Sequence, residues 1–284
     1  MLVVKVVRGA VLMEIKVYKV DAFTRIPLKG NPAAVVLDYG ELDDKTMLAI
    51  ASELNISETA FVKETEGRFH VRFFTPSAEV PLCGHATIAT FHVLKITGRA
   101  KKGYHIMVAK AGELKVQVGD KIWMQQLPPK ILGELDENVL KKCLNTQKLV
   151  GPALAVTTGL DVGIVEVTSF KELMELKPDF NKLAEYCKEE NIVGVHVYTF
   201  DSKYNAAARF FAPAVGVPED PVTGTANAAL AGYLKFTNKF VKDEYAFEQG
   251  HAFGREGTVY VKLKDSEVWV GGEAVCVLEG MLRI

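Results

Sequence analysis

The stretch RFFTPSAEVPLC (residues 72–83) sets the architecture, because RFFAPAVGVPED (residues 209–220) repeats it later in the chain. Six of the twelve aligned positions are identical, and the offset of 137 residues is close to half of the 284-residue chain. Each copy leads into a segment that is apolar on nearly all sides, 86–96 in the first and 226–236 in the second. A helix without a polar face is a buried helix. The repeat therefore predicts two homologous halves, each with a sheet wrapped around a central helix.

Hydrophobic periodicity supports this mixed class. Alternation of apolar and polar residues predicts half-buried strands, and apolar residues spaced three or four apart predict helices. The strand patterns lie at 69–73, 114–118 and 259–263, and the helical patterns at 47–54, 139–144 and 180–187. We expect an α+β protein with domains at 1–128 and 129–284, in which the last strand is free to pack on the N-terminal half.

Composition and charge favour a globular protein with a small-molecule partner. Hydrophobic residues make up 49% of the chain, and 34 Lys and Arg nearly cancel 35 Asp and Glu. The electrostatic signature of a nucleic-acid or polybasic membrane binder is therefore missing. Four scattered cysteines without a CxxC pair indicate a reducing, cytoplasmic location.

The apolar N-terminus is interrupted by Lys5, Arg8 and Glu14, so we expect neither a signal peptide nor a membrane span. Met13 is an alternative start, which leaves open whether residues 1–12 belong to the native protein.

The register of the repeat aligns Cys83 with Asp220, each in a loop just before a buried helix. Both side chains can gain or lose protons, and two domains facing each other across a cleft would present them from opposite sides of a substrate. The alternative is a buried, inert thiol and a helix-capping aspartate.

The two helix starts are candidate sites for a substrate carboxylate. Gly84 begins one helix, and Gly224 with Thr225 begins the other. Glycine there lets backbone N–H groups approach an anion, which the positive end of the helix attracts. The competing interpretation is a tight turn at Gly84 and an ordinary cap at Thr225.

Glu58 is the unusual residue in the string SETAFV (57–62), because it begins an apolar strand. Burial among apolar neighbours raises the pKa of a carboxyl, which suits it to carry a proton near neutral pH. The alternative is a solvated glutamate at a strand end. We find no dinucleotide or phosphate-binding loop, and His85 with His92 lacks a third ligand, so we expect no cofactor and no metal.

Five segments resemble the phenazine-biosynthesis PhzF-like isomerases, in the order in which that family carries them. They are KGNPAAVV (29–36), SETAFV (57–62), FTP with EVPLCGHAT (74–76 and 79–87), EDPVTGTA (219–226), and QG with GR (249–250 and 254–255). The resemblance is specific for the family and much less so for the substrate. It implies a fold like that of diaminopimelate epimerase: two pseudo-symmetric domains, each a barrel-like, mostly antiparallel sheet around a central helix. It also implies an active site between the domains, no cofactor or metal, and a homodimer.

The resemblance also assigns roles. Glu58 is implied to be the acid/base that moves a proton between carbons of a small unsaturated or cyclic carboxylic acid. Asp220 and His85 are implied to contact the substrate or aid the transfer. The residues implied to bind the substrate are Gly84, Gly224, Thr225 and Cys83.

Two other functions stay open. The epimerase relatives use one cysteine from each domain, whereas here Cys83 faces Asp220, so an amino- or hydroxy-acid epimerase would use a thiol and a carboxylate. A catalytically idle protein that binds small carboxylates is the other alternative.

Overall fold

The computed structural model describes residues 3–7, 10–40, 42–264 and 267–284. The chain forms two compact units, Met1–Met124 with Gly272–Ile284, and Gln125–Gly271. The boundary that we predicted after residue 128 lies a few residues beyond the observed one. The C-terminal segment, which the prediction numbered with the second half, belongs to the first unit.

The first unit holds most of the strands of the N-terminal half, together with two helices. Its elements are β1 (Val3–Val7), β2 (Ala10–Ala22), β3 (Asn31–Leu37), α1 (Asp44–Leu54), β4 (Glu58–Thr65), β5 (Arg68–Phe74), β6 (Glu79–Val80), α2 (Gly84–Ile96), β7 (Gly103–Ala109), β8 (Gly112–Val118) and β9 (Ile122–Gln126).

The second unit follows with four helices and the remaining strands. Its elements are β10 (Lys130–Glu134), α3 (Glu137–Leu144), β11 (Val150–Thr157), β12 (Asp161–Glu166), α4 (Phe170–Glu175), α5 (Phe180–Glu189), β13 (Gly194–Thr199), β14 (Ala206–Ala212), β15 (Val217–Asp220), α6 (Gly224–Phe236), β16 (Glu244–Gln249), β17 (Gly257–Lys264) and β18 (Glu267–Gly272). The last strand, β19 (Ala274–Arg283), pairs with β2 of the first unit.

Strand pairing follows the same order in both units. In the first, β2–β3 is antiparallel, β3–β4 parallel, β4–β5 antiparallel and β5–β7 parallel. In the second, β11–β12, β12–β13, β13–β14 and β14–β16 repeat that alternation. The predicted class, strands in the majority with few helices, is confirmed; a symmetry axis relating the units stays a prediction.

The two predicted apolar helices are α2 and α6. Nine of the thirteen residues of α2 and ten of the thirteen of α6 are buried, so neither helix has a solvated face. Each packs on the strands of its own unit, α2 on β2, β3 and β4, and α6 on β11, β12 and β17. Among the described residues, none of the helices combines the length and apolarity that crossing a membrane requires.

Local capping places the start of β4. Asp43 caps α1 by accepting a hydrogen bond from the Thr46 backbone N–H at 2.8 Å. The helix buries Met47 and Ile50 against the sheet and ends at Asn55 in a left-handed conformation, φ 47°. The chain reverses there, so Glu58 enters the sheet directly after the turn.

Candidate active site

Glu58 and His85 meet inside the first unit. Glu58 is the first residue of β4, and His85 is the second residue of α2. The Oε2 atom of Glu58 lies 3.0 Å from Nε2 of His85, and the two side chains are 19% and 8% exposed. Water is largely excluded from the contact, which strengthens the interaction between the charges.

Both ring nitrogens of His85 have further neighbours. The amide of Asn31 lies 3.3 Å from Nδ1, and Sγ of Cys83 lies 3.4 Å from the same nitrogen. The hydroxyl of Ser57 donates to the carbonyl of Pro32 at 3.0 Å, and its oxygen lies 3.3 Å from Nε2 of His85. Since the hydroxyl proton is engaged with Pro32, the Ser57 oxygen accepts from Nε2–H. Nε2 therefore carries a proton.

This arrangement leaves one oxygen of Glu58 buried without a hydrogen bond. Oε2 is enclosed, and no hydrogen bond of acceptable geometry reaches it from the described residues. The His85 N–H is directed to Ser57, so Glu58 and His85 interact through charge at short range. A buried polar atom without a hydrogen bond is rare in folded proteins and costly unless a function uses it.

The pKa values follow from burial and charge together. Burial raises the pKa of Glu58, but the positive charge of His85 beside it outweighs burial, so the pKa is lowered. Burial lowers the pKa of His85, but Cys83 and Glu58 beside it raise the pKa well above the usual value. Burial, reinforced by the charge of Glu58, raises the pKa of the Cys83 thiol. The resting state is a carboxylate, an imidazolium and a neutral thiol.

The prediction that burial would leave Glu58 with a raised pKa is wrong. Desolvation acts in the predicted direction, yet His85 stands 3.0 Å away and reverses the sign. Glu58 is thus a carboxylate at neutral pH, ready to accept a proton.

A second cluster forms at the start of α6 in the second unit. Thr223 precedes the helix, and its hydroxyl donates to Oδ2 of Asp220, the last residue of β15. The side-chain amide of Gln249 spans this loop: Nε2 donates to the Asp220 carbonyl at 2.9 Å, and Oε1 accepts from the Thr223 N–H at 3.1 Å. One amide group therefore ties together both ends of the loop that carries Asp220.

Two more buried side chains hold Gln249 in place. Asn227 donates from Nδ2 to Oε1 of Gln249 at 2.9 Å, and its Oδ1 lies 3.3 Å from Nε2 of His196. His196 must donate here, because that amide oxygen can only accept. Burial lowers the pKa of His196 to about 4, so the ring is neutral.

The residues predicted from the sequence fall into two groups, one in each unit. The first is Glu58, Cys83, Gly84 and His85, and the second is Asp220, Gly224 and Thr225. Contacts join Glu58, Cys83 and His85, whereas the link between the two groups stays a prediction.

Sequence reasoning assigned no role to Asn31 or Ser57, although both lie against His85. Their positions in the family-like segments 29–36 and 57–62 are the signal that could have found them. Asn227 and His196 carried no signal, since each is a polar residue flanked on both sides by apolar residues in a buried element.

The donor atoms of Glu58, Cys83 and His85 also form a possible metal-ligand set. One oxygen, one sulfur and one nitrogen lie within 4.8 Å of one another. Such a set matches the preference of zinc for nitrogen, sulfur and carboxylate ligands.

Comparisons with known proteins agree with these segments. The sequence profile described as "Phenazine biosynthesis-like protein" (PhzC-PhzF) matches residues 20–280. An uncharacterized isomerase of Clostridium acetobutylicum is 36% identical over 293 residues, covering 93% of this chain and 97% of that relative.

Solved structures agree as well. The crystal structure of the Bacillus anthracis phenazine biosynthesis protein of the PhzF family has a TM-score of 0.86 and 31% identity, covering 95% of this chain and 99% of that one. A predicted epimerase of Pseudomonas aeruginosa has the same fold, with a TM-score of 0.82 at 24% identity, covering 94% of this chain and 99% of that one. The chain belongs to the phenazine biosynthesis-like (PhzC-PhzF) family.

Proposed function

We propose that the protein is an isomerase that moves a proton between carbons of a small unsaturated or cyclic carboxylic acid, with Glu58 as the acid/base and no cofactor. The observation that carries this proposal is the enclosed Oε2 of Glu58, which has a carboxylate charge and no hydrogen bond of acceptable geometry. The name of the Clostridium relative, an isomerase, agrees with this reaction class.

The proposed reaction needs one proton carrier. The Glu58 carboxylate takes a proton from a substrate carbon, and the electron pair of the C–H bond enters the unsaturated system of the substrate. The resulting carboxylic acid then returns its proton to a different carbon, which restores the carboxylate. Glu58 therefore acts first as general base and then as general acid.

His85 supports both steps without itself carrying the proton. Its positive charge keeps Glu58 ionised between turnovers, and its hydrogen bond to Ser57 fixes the ring. Cys83 and Asn31 hold the opposite edge of the ring at 3.4 and 3.3 Å. An acid/base group held by a rigid shell keeps the alignment that proton transfer needs.

The carboxylate of the substrate is the second recognition element of the proposal. α2 begins at Gly84, and α6 begins at Gly224 and Thr225. The backbone N–H groups of these residues would bind the substrate carboxylate, because the positive end of the helix dipole favours an anion there. Asp220, held by Thr223 and Gln249, would contact a hydroxyl or amine of the substrate. The cleft between domains, the homodimer and the cytoplasmic location stay predictions.

An epimerase that uses Cys83 and Asp220 is the second candidate. The observation that favours it is the register of the sequence repeat, which aligns Cys83 with Asp220. Against it stands the raised pKa of the buried Cys83 thiol, because a thiolate is the form that abstracts protons.

The experiment is proton NMR in D₂O on a pool of small carboxylic acids, including cyclohexadiene acids and amino acids. We expect wild type to introduce deuterium into one compound, and Glu58→Gln to lower the rate by roughly 10²- to 10⁴-fold. Cys83→Ser serves as the matched variant: it keeps a hydrogen-bonding group beside His85 and should lower the rate far less than Glu58→Gln. Exchange that survives Glu58→Gln but is abolished by Cys83→Ser would support the epimerase instead. Stabilisation by a pool member without any exchange would support a binding protein.

A further inference from the structure

We propose that Glu58, Cys83 and His85 also form an inhibitory binding site for Zn²⁺ and for ions of similar preference such as Co²⁺. The site is a trap for the ion and not part of the reaction. Inhibition by the ion rests on the proposed function, whereas binding of the ion does not.

The distances suit a tetrahedral ion. Nε2 of His85 lies 3.0 Å from Oε2 of Glu58 and 3.9 Å from Sγ of Cys83. Zinc bonds of about 2.3 Å to sulfur and about 2.0–2.1 Å to nitrogen or oxygen place such ligand atoms about 3.3–3.6 Å apart. Both distances differ from that range by a few tenths of an ångström, and the ligand atoms of all three residues lie within 4.8 Å of one another, so side-chain rotations are needed to bring them to one ion.

The ligand types select the class of metal. A thiolate, an imidazole and a carboxylate suit Zn²⁺ or Co²⁺, whereas Mg²⁺ and Ca²⁺ prefer oxygen ligands only. Three protein ligands leave the fourth tetrahedral position for water or another small ligand.

The supporting shell is already present. Thr87 holds the Cys83 carbonyl through its backbone N–H at 3.0 Å and its hydroxyl at 2.7 Å, which fixes the first turn of α2. With the ion on Nε2 of His85, Nδ1–H needs an acceptor, and rotating the Asn31 amide, whose Nδ2 lies 3.3 Å away, by 180° would present its Oδ1. Metal-binding histidines almost always use their second nitrogen in this way, and loss of that partner typically weakens metal binding.

The charges balance on binding. The thiol proton of Cys83 and one imidazolium proton of His85 pass to solvent as the Zn–S, Zn–N and Zn–O bonds form. Thiolate and carboxylate then neutralise the two charges of the ion, so no net positive charge lies beside the positive end of α2. The ion binds the carboxylate that the proposed reaction uses, so it would block proton transfer.

The test is titration of the whole metal-free protein with Co²⁺, followed by absorbance. We expect a near-ultraviolet thiolate-to-cobalt band and strong visible bands of a tetrahedral ion, all removed by added Zn²⁺. Cys83→Ser should lose the thiolate band. Cys276→Ser is the matched control, because Cys276 is a half-buried thiol in β19, and it should keep the band.

Glu58→Gln is the second variant and guards against misfolding of Cys83→Ser. It keeps sulfur and nitrogen, so the thiolate band should remain while cobalt binds more weakly. Absence of a thiolate band in wild type, or a band that survives Cys83→Ser in folded protein, would overturn the proposal.

Failure of the metal-site proposal can be distinguished from failure of the proposed function, because cobalt binding needs no substrate. A cobalt complex without deuterium exchange leaves the metal site standing and the isomerase proposal refuted. Deuterium exchange that Zn²⁺ does not inhibit refutes the inhibitory site alone. With both correct, Zn²⁺ stops the exchange and a chelator restores it.

Discussion

His196 makes the second unit sensitive to acid, and the size of the effect follows from its surroundings. The ring is fully buried, Nε2 lies 3.3 Å from Oδ1 of Asn227, and Nδ1 has no hydrogen-bond partner among the described residues. Protonating Nδ1 would place an unpaired charge in the core. Burial therefore lowers the pKa of His196 to about 4, from 6.5 for the exposed group.

The sign and magnitude come from linkage. A lowered pKa means that the unfolded state binds the proton more readily, so stability from this group is complete above pH 6.5 and is lost as pH falls towards 4. The largest possible loss is about 3 kcal/mol, and at pH 5 about 2 kcal/mol of it is already gone.

The assay compares wild type with His196→Gln, which keeps a hydrogen-bond donor near Asn227 but does not titrate. Both proteins carry Trp123→Phe, so that Trp269 in β18 is the only tryptophan and reports the second unit. Urea unfolding at pH 8 and pH 5 gives the free energy of unfolding of each protein. We expect the advantage of wild type over His196→Gln to shrink by about 2 kcal/mol between these pH values.

Parallel pH profiles for the two proteins would refute the reasoning. They would mean that His196 titrates alike in the folded and unfolded states, and hence that its buried ring takes up a proton without cost. Other groups that titrate, including those near Glu58, are common to both proteins and cancel in the comparison.

Two further predictions concern stability, and urea unfolding tests both. Gly194→Ala should destabilise the protein by about 3 kcal/mol, because the new Cβ would lie 2.2 Å from the carbonyl oxygen of Phe211. Gly133→Ala is the control and should be nearly neutral, because no atom lies within 4 Å of its new Cβ. Equal losses of stability in the two variants would contradict this account. Arg209→Met should lower the free energy of unfolding by about 3–5 kcal/mol, because it leaves the buried carboxylate of Glu219 without its partner, and the Arg209 side chain is only 9% exposed. Arg72→Met should lower it by at most about 1 kcal/mol, because the Arg72 side chain is 28% exposed. A larger loss for Arg72→Met than for Arg209→Met would contradict this reasoning.

The architecture was largely predictable because its signals are local. The segments 86–96 and 226–236 lack a polar face, and that property alone indicates the buried helices α2 and α6. The sequence left the last strand free to pack on the N-terminal half, but its pairing partner was not predictable in this way. β19 pairs with β2, some 260 residues earlier in the chain, and nothing in either sequence specifies the partner.

Some residues of the candidate site were candidates from the sequence, but their electrostatics was not predictable. Glu58 and His85 were both identified, yet the sign of the Glu58 pKa shift depends on a 3.0 Å contact between β4 and α2. Sequence spacing does not show that contact. The same limit applies to Gln249, whose amide reaches Asp220 only because β16 lies beside β14.

The repeated architecture holds the proposed acid/base only once. In the first unit, Phe74 pairs with Thr59, and Glu58 is the residue before Thr59. In the second unit, Phe211 pairs with Val195, and Gly194 is the residue before Val195. Phe74 and Phe211 occupy equivalent places in the sequence repeat, so Gly194 is the counterpart of Glu58. A Cβ at Gly194 would strike the carbonyl oxygen of Phe211, which leaves no room for a carboxylate there. A single base can return a proton only to the face from which it took it. Transfer along one face of the substrate, with one carboxyl as donor and acceptor, is therefore the reaction course that this asymmetry favours over a two-base inversion.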